Sequence, residues 1–282
     1  METKVSSTTK EVVISSNKQT ILIGERINPT GKKKLAEALR QGDFELVRLE
    51  AKQQVAAGAD ILDVNVGTGG VDEVKVLPEV VKVVMEAVDV PLCLDSGDSK
   101  ALEAALKVYK GKALVNSVKG TEHSLEEVLP LVKAHGAAVI ALPADERGIP
   151  EDAATRLEII DKIINRCGKL GIPLEDIVVD CLALSVGVNS NAAIATLETA
   201  RMVKEKYGVN QTVGASNISF SLPGREPINT VFLGLVIAAG VTCPVVDVAK
   251  VRKGIMATDL LLGHDRFSRR YLKYYRENQD MF

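Results

Sequence analysis

Carboxylate and carboxamide side chains recur where short apolar segments of this chain end. The set is Asp63, Asn65, Asp95, Asn116, Asp180, Asn217 and Asp247. Carboxylates accept paired N–H donors, and carboxamides both donate and accept hydrogen bonds. No His, Lys or Cys nucleophile stands among them. The set is therefore typical of a site for a flat heterocycle with an amidine-like edge, such as the 2-amino-4-oxo edge of a pterin.

Each of these residues also has a purely structural interpretation. A single Asp after a strand is commonly the N-cap of the next helix, which applies to Asp95 and Asp247. Asn217 lies in the segment GASNIS and is also a typical turn residue, because Asn tolerates left-handed backbone conformations. Asp63 is harder to explain in this way, since a polar side chain inside an apolar strand must find partners. The recurrence of the same chemistry at most strand ends favours a binding site.

Cationic residues take a smaller part in this prediction. Arg225 is expected on the loop after Asn217, where it would meet an anionic tail such as the glutamate of a folate. Lys119 and the run Lys32–Lys34 are interpreted as solvated surface, and no ligand role is predicted for His123.

The elements that must position these side chains are eight short apolar segments that alternate with helical patterns. Nearly continuous apolar strands are typical of a parallel sheet that is covered on both faces. Several helical patterns end at a Gly, as expected of C-terminal caps: Gly58, Gly136, Gly171, Gly208 and Gly240. A doubly wound sheet is disfavoured, because the first strand runs into GERINPTGKK and not into GxGxxG. The pattern predicts an α/β fold, a (β/α)8 TIM barrel, whose strand ends meet on one face. The predicted strands are Ile21–Gly24, Ile61–Val64, Pro91–Asp95, Ala113–Asn116, Ala138–Leu142, Ile177–Asp180, Thr212–Gly214 and Thr242–Val246.

Three regions are predicted along the chain. Residues 1–19 form a polar N-terminal extension, in which Glu11–Ser15 is a short strand that would cover the bottom of the barrel. Residues 20–264 form the pterin-binding barrel, and residues 265–282 form a C-terminal extension with a helix over Arg266–Arg276.

The composition of the chain limits its partners and its location. A net charge of −2 and the absence of Trp argue against a nucleic-acid partner. The four cysteines form no CxxC pair, and with only three histidines a zinc site is not expected. No signal peptide and no apolar run of membrane-spanning length are visible. Free thiols fit a reducing compartment, so a cytoplasmic protein without a membrane partner is predicted.

Six short motifs, in order and in register, resemble one family. They are Gly24-Glu25-Arg26-Ile27-Asn28, Leu62-Asp63-Val64-Asn65, Leu94-Asp95-Ser96, Asn116-Ser117, Val179-Asp180 and Gly214-Ala215-Ser216-Asn217-Ile218-Ser219. Over roughly Ile21 to Leu262 the chain resembles the pterin-binding methyltransferases that exchange a methyl group between tetrahydrofolate and a corrinoid. These include methyltetrahydrofolate:corrinoid protein methyltransferases and the folate domain of cobalamin-dependent methionine synthase.

The resemblance implies a dihydropteroate-synthase-like (β/α)8 barrel that is usually a homodimer. It implies that Asp95, Asn116 and Asp180 bind the pterin edge and that Asn217 forms a hydrogen bond near N5. Asp63 is similar to an additional acidic residue of the pocket. The implied substrates are tetrahydrofolate or 5-methyltetrahydrofolate and a cobalamin (corrinoid) supplied by a separate protein that docks transiently. No DxHxxG-type element for holding a corrinoid is present in the chain itself.

Asn217 is the residue for which a catalytic role is predicted. Departure of the methyl group leaves charge on N5, which a hydrogen bond from Asn217 would stabilise, with the proton supplied by solvent. The same site serves methyl transfer to and from tetrahydrofolate, so the sequence does not determine the direction of the reaction. Two alternatives are a dihydropteroate synthase and a non-catalytic folate-binding module. The first is disfavoured because a pyrophosphate leaving group requires cations, and none stands between strand seven and Arg225.

Overall fold

The computed structural model describes residues 1–279 and contains one eight-stranded parallel sheet preceded by a hairpin. The hairpin strands are β1 (Glu2–Ser6) and β2 (Glu11–Ser15). The sheet strands are β3 (Ile23–Ile27), β4 (Ile61–Asn65), β5 (Leu92–Asp95), β6 (Leu114–Lys119), β7 (Ala138–Leu142), β8 (Ile177–Asp180), β9 (Asn210–Thr212) and β10 (Val245–Val246).

The sheet closes on itself into a nearly complete barrel. Its order is β10-β3-β4-β5-β6-β7-β8-β9, and every neighbouring pair is parallel. Between the two end strands, the Val245 amide donates to the Val213 carbonyl at 2.9 Å, and Gly214 and Val245 form a parallel bridge. The predicted (β/α)8 TIM barrel is confirmed.

Helices cover the outside of the barrel between successive strands. They are α1 (Lys33–Gln41), α2 (Glu45–Ala57), α3 (Glu73–Ala87), α4 (Ser99–Val108), α5 (Glu122–His135), α6 (Ala153–Lys169), α7 (Ala192–Lys206), α8 (Arg225–Ala239), α9 (Val248–Leu261) and α10 (Arg269–Glu277). Gly58 and Gly136 cap α2 and α5 in left-handed conformations, as the sequence predicts. Within residues 1–279, no helix is both long and apolar enough to cross a membrane.

Two layers of apolar side chains hold the barrel together. The outer layer lies between the strands and the helices, and Val64, Leu94 and Val179 belong to it. The inner layer consists of side chains on the opposite faces of the strands, which fill the interior of the barrel. Ile61, Cys93 and Val178 belong to it. This alternation follows from the period of two along each strand, which sends successive side chains to opposite faces.

The N-terminal extension is more ordered than its polar composition suggests. The sequence predicts β2, but β1 was not expected in the polar leader. Val5, Val12 and Ile14 are buried in the inner layer, so the hairpin covers one end of the barrel. Asn210 of β9 donates to the Thr3 hydroxyl at 2.9 Å, which ties the hairpin to the barrel strands. The hairpin therefore adds β1 to the short strand that the sequence predicts in this extension.

The C-terminal extension packs against the last helix of the barrel. The Asp265 carboxylate accepts the backbone N–H of Arg270 at 3.1 Å and of Tyr271 at 2.9 Å, at the start of α10. The Arg270 guanidinium donates to Asp259 of α9 at 3.2 Å. The last part of the predicted extension, residues 280–282, lies outside the described residues.

Candidate functional site

The predicted pterin ligands meet at the C-terminal ends of the barrel strands. Asp95, Asn116 and Asp180 line one cavity of about 390 Å³, together with Ser96 and Ser117. Asp95 and Asn116 are register partners on the adjacent strands β5 and β6, and Asp180 ends β8. The three groups are far apart in the sequence and converge because parallel strands end on one face of the barrel.

The Asp95 carboxylate is held in a dry environment that favours its protonated form. Burial raises its pKa to about 6, and the nearby Glu73 carboxylate adds to this, whereas a hydrogen bond from Asn65 opposes it. Glu73 is itself held by the hydroxyl of Ser96, which donates to it at 2.6 Å. A ligand that offers N–H donors would satisfy Asp95 and favour its ionised form.

Asp63 lies behind this cavity and is not among the described residues that line it. Its side chain is only 2% exposed, and the Asn116 amide donates to its carboxylate at 3.2 Å. Burial and the neighbouring Asp95 raise its pKa well above the usual range. The contact shown is with Asn116, whose amide orientation it fixes, so a direct contact of Asp63 with a ligand stays a prediction.

Asp180 lines the same cavity from the end of β8, two strands away from Asn116 on β6. The backbone N–H of Leu182 donates to its carboxylate at 2.7 Å. Burial raises the Asp180 pKa to about 6, while this hydrogen bond and the positive charge of Arg156 act in the opposite direction. The sequence did not single out Arg156, which lies in α6 and is fully buried.

A second cavity of about 640 Å³ opens at the ends of β3, β9 and β10. Glu25, Ser216 and Arg225 line it together with Arg26, Lys32, Asp247 and Lys250. The Ser216 hydroxyl donates to the Glu25 carboxylate at 2.7 Å. Burial raises the pKa of Glu25, and the hydrogen bond from Ser216 opposes the rise. Glu25 was visible in the sequence as a strand-end carboxylate, but its pairing with Ser216 was not.

Asn217 stands on a short 3-10 helix, Ala215–Ser219, directly after β9. Its side chain is exposed and forms no hydrogen bond with the other described residues. A Cβ on Gly214 would lie 3.0 Å from the Asn217 amide nitrogen, so the glycine leaves room for this side chain. The amide is therefore free to contact a ligand, although Asn217 lines neither of the two cavities.

The position of Arg225 differs from the one that the sequence predicts. It is the first residue of α8 and not a loop residue, and its guanidinium braces the Asn217 turn. It donates to the Ser216 carbonyl at 2.5 Å and to the Ser219 hydroxyl at 2.9 Å. Lys32 is half-buried and not a fully solvated surface residue, and its ammonium donates to the Arg26 carbonyl at 2.6 Å.

Hydrogen bonds that cap helices do not explain Asp95 or Asp247. The N-cap of α4 is Asp98, whose carboxylate accepts the Lys100 N–H, and not Asp95. Asp247 occupies the N-cap position of α9 without a side-chain cap hydrogen bond. Its carboxylate instead accepts from Arg26 at 3.4 Å and pairs with Lys250 at 3.2 Å.

A barrel with acceptor side chains converging at its strand ends suits a pterin ligand, and comparison with known proteins assigns the family. The sequence profile of the family described as pterin binding enzyme matches residues 24–247. The chain belongs to the family of pterin-binding enzymes.

Within that family, methyltransferases are among the similar proteins. The chain is 32% identical over 267 residues to a methylcorrinoid:tetrahydrofolate methyltransferase of Eubacterium limosum, covering 92% of this chain and 97% of that protein. It is also 32% identical over 263 residues to methionine synthase of Mycobacterium tuberculosis, covering 89% of this chain. The match spans only 22% of that methionine synthase.

Solved structures with the same fold include dihydropteroate synthases. That of Yersinia pestis superimposes with a TM-score of 0.69 at 16% identity, covering 93% of this chain and all (100%) of that chain. That of Thermus thermophilus gives a TM-score of 0.65 at 22% identity, covering 92% of this chain and 99% of that chain. At these identities the likeness shows the barrel fold alone.

Proposed function

We propose that this chain is a methyltransferase that moves a methyl group between N5 of tetrahydrofolate and the cobalt of a corrinoid carried by a separate protein. The observation that carries the proposal is the convergence of Asp95, Asn116 and Asp180 on one cavity at the strand ends. Similarity along nearly the whole length of a methylcorrinoid:tetrahydrofolate methyltransferase supports it. Residues 20–264 form the pterin-binding barrel in this proposal.

The pterin ring lies in the cavity that these three side chains line. The carboxylates of Asp95 and Asp180 accept N–H donors from the ring, and the Asn116 carboxamide offers both a donor and an acceptor. Asp63 fixes the Asn116 amide by accepting its N–H. A carboxylate that accepts such bonds in a dry pocket strengthens binding and fixes the orientation of the ring.

Asn217 acts at N5 of the bound folate. When the N5–methyl bond breaks and the cobalt–carbon bond forms, electron density returns to N5, which takes up a proton from solvent. A hydrogen bond from the Asn217 amide stabilises this charge as it develops, which is where one bond has the greatest effect on rate. In the reverse direction N5 attacks the methyl group, and the same amide orients that nitrogen.

The cavity beside Asn217 suits the anionic tail of folate. Its lining includes Arg26, Lys32, Arg225 and Lys250, although three carboxylates partly balance their charge: Glu25, Glu226 and Asp247. Arg225 donates two of its N–H groups to the turn that carries Asn217. Its remaining N–H groups reach the tail carboxylate in this proposal, so that one side chain both braces the turn and binds substrate.

The corrinoid protein docks transiently over the strand ends, because the cobalt must approach N5 from the open side of the site. The chain itself forms a homodimer. Supporting this, Val231 and Leu235 lie one turn apart on α8 and are 64% and 50% exposed, and Ile194 on the neighbouring α7 is 53% exposed. Exposed apolar side chains on adjacent helices are typical of interfaces. A cytoplasmic location fits four free cysteines, all buried.

The deciding experiment measures methyl transfer from methylcobalamin to tetrahydrofolate, and in reverse, with the purified chain. Transfer above the rate without enzyme supports the proposal. Condensation of a pterin pyrophosphate with p-aminobenzoate, without methyl transfer, would establish a dihydropteroate synthase instead. Folate binding without either reaction would establish a binding module.

A further inference from the structure

Arg156 is the most completely buried cation among the described residues and has no assigned role. Its side chain is 0% exposed, and it lies in the first turn of α6. Its guanidinium donates to three carbonyl groups of two neighbouring loops at the strand ends. These are Pro150 at 3.0 Å, Cys181 at 3.1 Å and Leu182 at 2.8 Å.

The burial of this charge is costly. Within residues 1–279 Arg156 forms no ion pair, and its Nη2 has no hydrogen-bond partner. A cation in the first turn of a helix is also disfavoured, because the helix dipole is positive at that end. The three bonds to loop carbonyls therefore compensate this cost, and their effect lies on the loops that they hold.

Asp180 is the functional group closest in the chain to the carbonyls that Arg156 holds. Leu182, whose carbonyl Arg156 binds, donates its own backbone N–H to the Asp180 carboxylate at 2.7 Å. Leu182 has a φ of 58°, a left-handed conformation that a leucine adopts only when its surroundings impose it. The Thr196 hydroxyl lies 3.0 Å from the same carbonyl and 3.0 Å from the Ala192 carbonyl, so it shares its one proton between them. The turn after Asp180 is thus fixed from α6 and α7 together.

We propose that Arg156 is a positioning residue for the pterin-binding carboxylate Asp180. It fixes the Cys181–Leu182 turn, whose Leu182 N–H binds that carboxylate, and it places a buried positive charge behind the cavity. The inference rests on the proposed role of Asp180 in pterin binding. Arg156 itself lies behind the cavity and touches no substrate.

The electrostatic part of this role follows from the groups that surround Asp180. Burial alone favours the protonated acid, which accepts fewer hydrogen bonds from a pterin. The Arg156 charge lowers the Asp180 pKa, against the effect of burial. Removing that charge should raise the Asp180 pKa and should weaken folate binding most at low pH. The other titratable or charged groups near Asp180 or Arg156, or on the same cavity, are Cys181, Cys243, Asp152, Asp95, Lys119, His123 and Glu127.

The test compares Arg156→Lys with Arg156→Gln, two side chains that both donate to a carbonyl but differ in charge. Tetrahydrofolate affinity is measured by calorimetry at pH 6, 7 and 8 for both variants and for the wild type. Thr196→Val is the matched control, because it removes a hydrogen bond to the same Leu182 carbonyl without changing the charge. Arg156→Leu replaces Arg156→Gln if the latter does not fold, as judged by circular dichroism.

Because loss of the positive charge raises the Asp180 pKa, the Gln variant should bind about twofold more weakly than the Lys variant at pH 7 and about fivefold at pH 6. At pH 8 the two variants should bind almost equally. Thr196→Val should lose affinity by the same factor at every pH. A Gln-to-Lys ratio that does not change with pH would overturn the proposal. A wild type that binds no tetrahydrofolate at any pH would instead overturn the proposed function.

Discussion

The variant Asn217→Ala tests whether the Asn217 amide has a catalytic role or only a structural one. The Asn217 side chain is exposed and forms no hydrogen bond with other described residues, so its removal breaks no contact within the fold. We expect the free energy of unfolding to change by less than about 0.5 kcal/mol, as is usual for surface positions. The backbone of the turn stays braced by Arg225, which binds the Ser216 carbonyl.

The effect on the reaction should be far larger. Loss of one preorganised donor at a developing charge costs about 2.7–4 kcal/mol, or roughly a hundredfold to a thousandfold in rate. The assay is single-turnover methyl transfer to or from free cobalamin at saturating folate, measured beside the dissociation constant for tetrahydrofolate. Free cobalamin is used so that docking of a partner protein does not enter the result.

Asn189→Ala is the matched control for this experiment. Asn189 is a partly exposed carboxamide in the loop after β8, at the same face of the barrel, and it donates to Glu151 at 3.0 Å. Its removal should leave both rate and affinity unchanged. A full rate at saturating folate in Asn217→Ala, with only weakened binding, would refute the catalytic role and leave Asn217 as an anchor.

Three further predictions concern folate binding and its dependence on pH. Asp180→Ala should weaken tetrahydrofolate binding about tenfold to a hundredfold in calorimetry, because it leaves pterin N–H groups unpaired in a dry pocket; unchanged affinity would remove Asp180 from the site. Since burial raises the pKa of both Asp95 and Asp180 to about 6, folate affinity should fall as the pH drops from 7 to 5; a flat profile would contradict ionised ligands. The raised pKa values have the opposite effect on the stability of the ligand-free protein. The folded state binds protons that the unfolded state releases, so the contribution of these two groups to thermal stability should increase as the pH falls from 7 to 5. Scanning calorimetry can measure this increase.

The sequence alone determined the barrel fold, because each strand and each helix has its own local sequence pattern. Short apolar runs predict covered parallel strands, and the spacing of Gly58 and Gly136 predicts where helices end. The structure confirms the full set of eight strands with shifts of a few residues at their ends. β1 was not predicted, because its sequence ETKVS alternates polar and apolar residues too briefly to be distinguished from a polar leader.

The sequence by itself also determined which residues stand at the strand ends, because each follows its own strand directly. It did not determine which of them share a cavity or which partners they have. Asp63 lies behind Asn116, and Arg156 of α6 binds the Leu182 carbonyl after β8, both through contacts between different strands and helices. Only closure of the barrel decides these contacts, because it brings together residues that are tens or hundreds of positions apart. The raised pKa values of Asp95 and Asp180 arise in the same way, since burial is a property of the packed molecule and not of the local sequence.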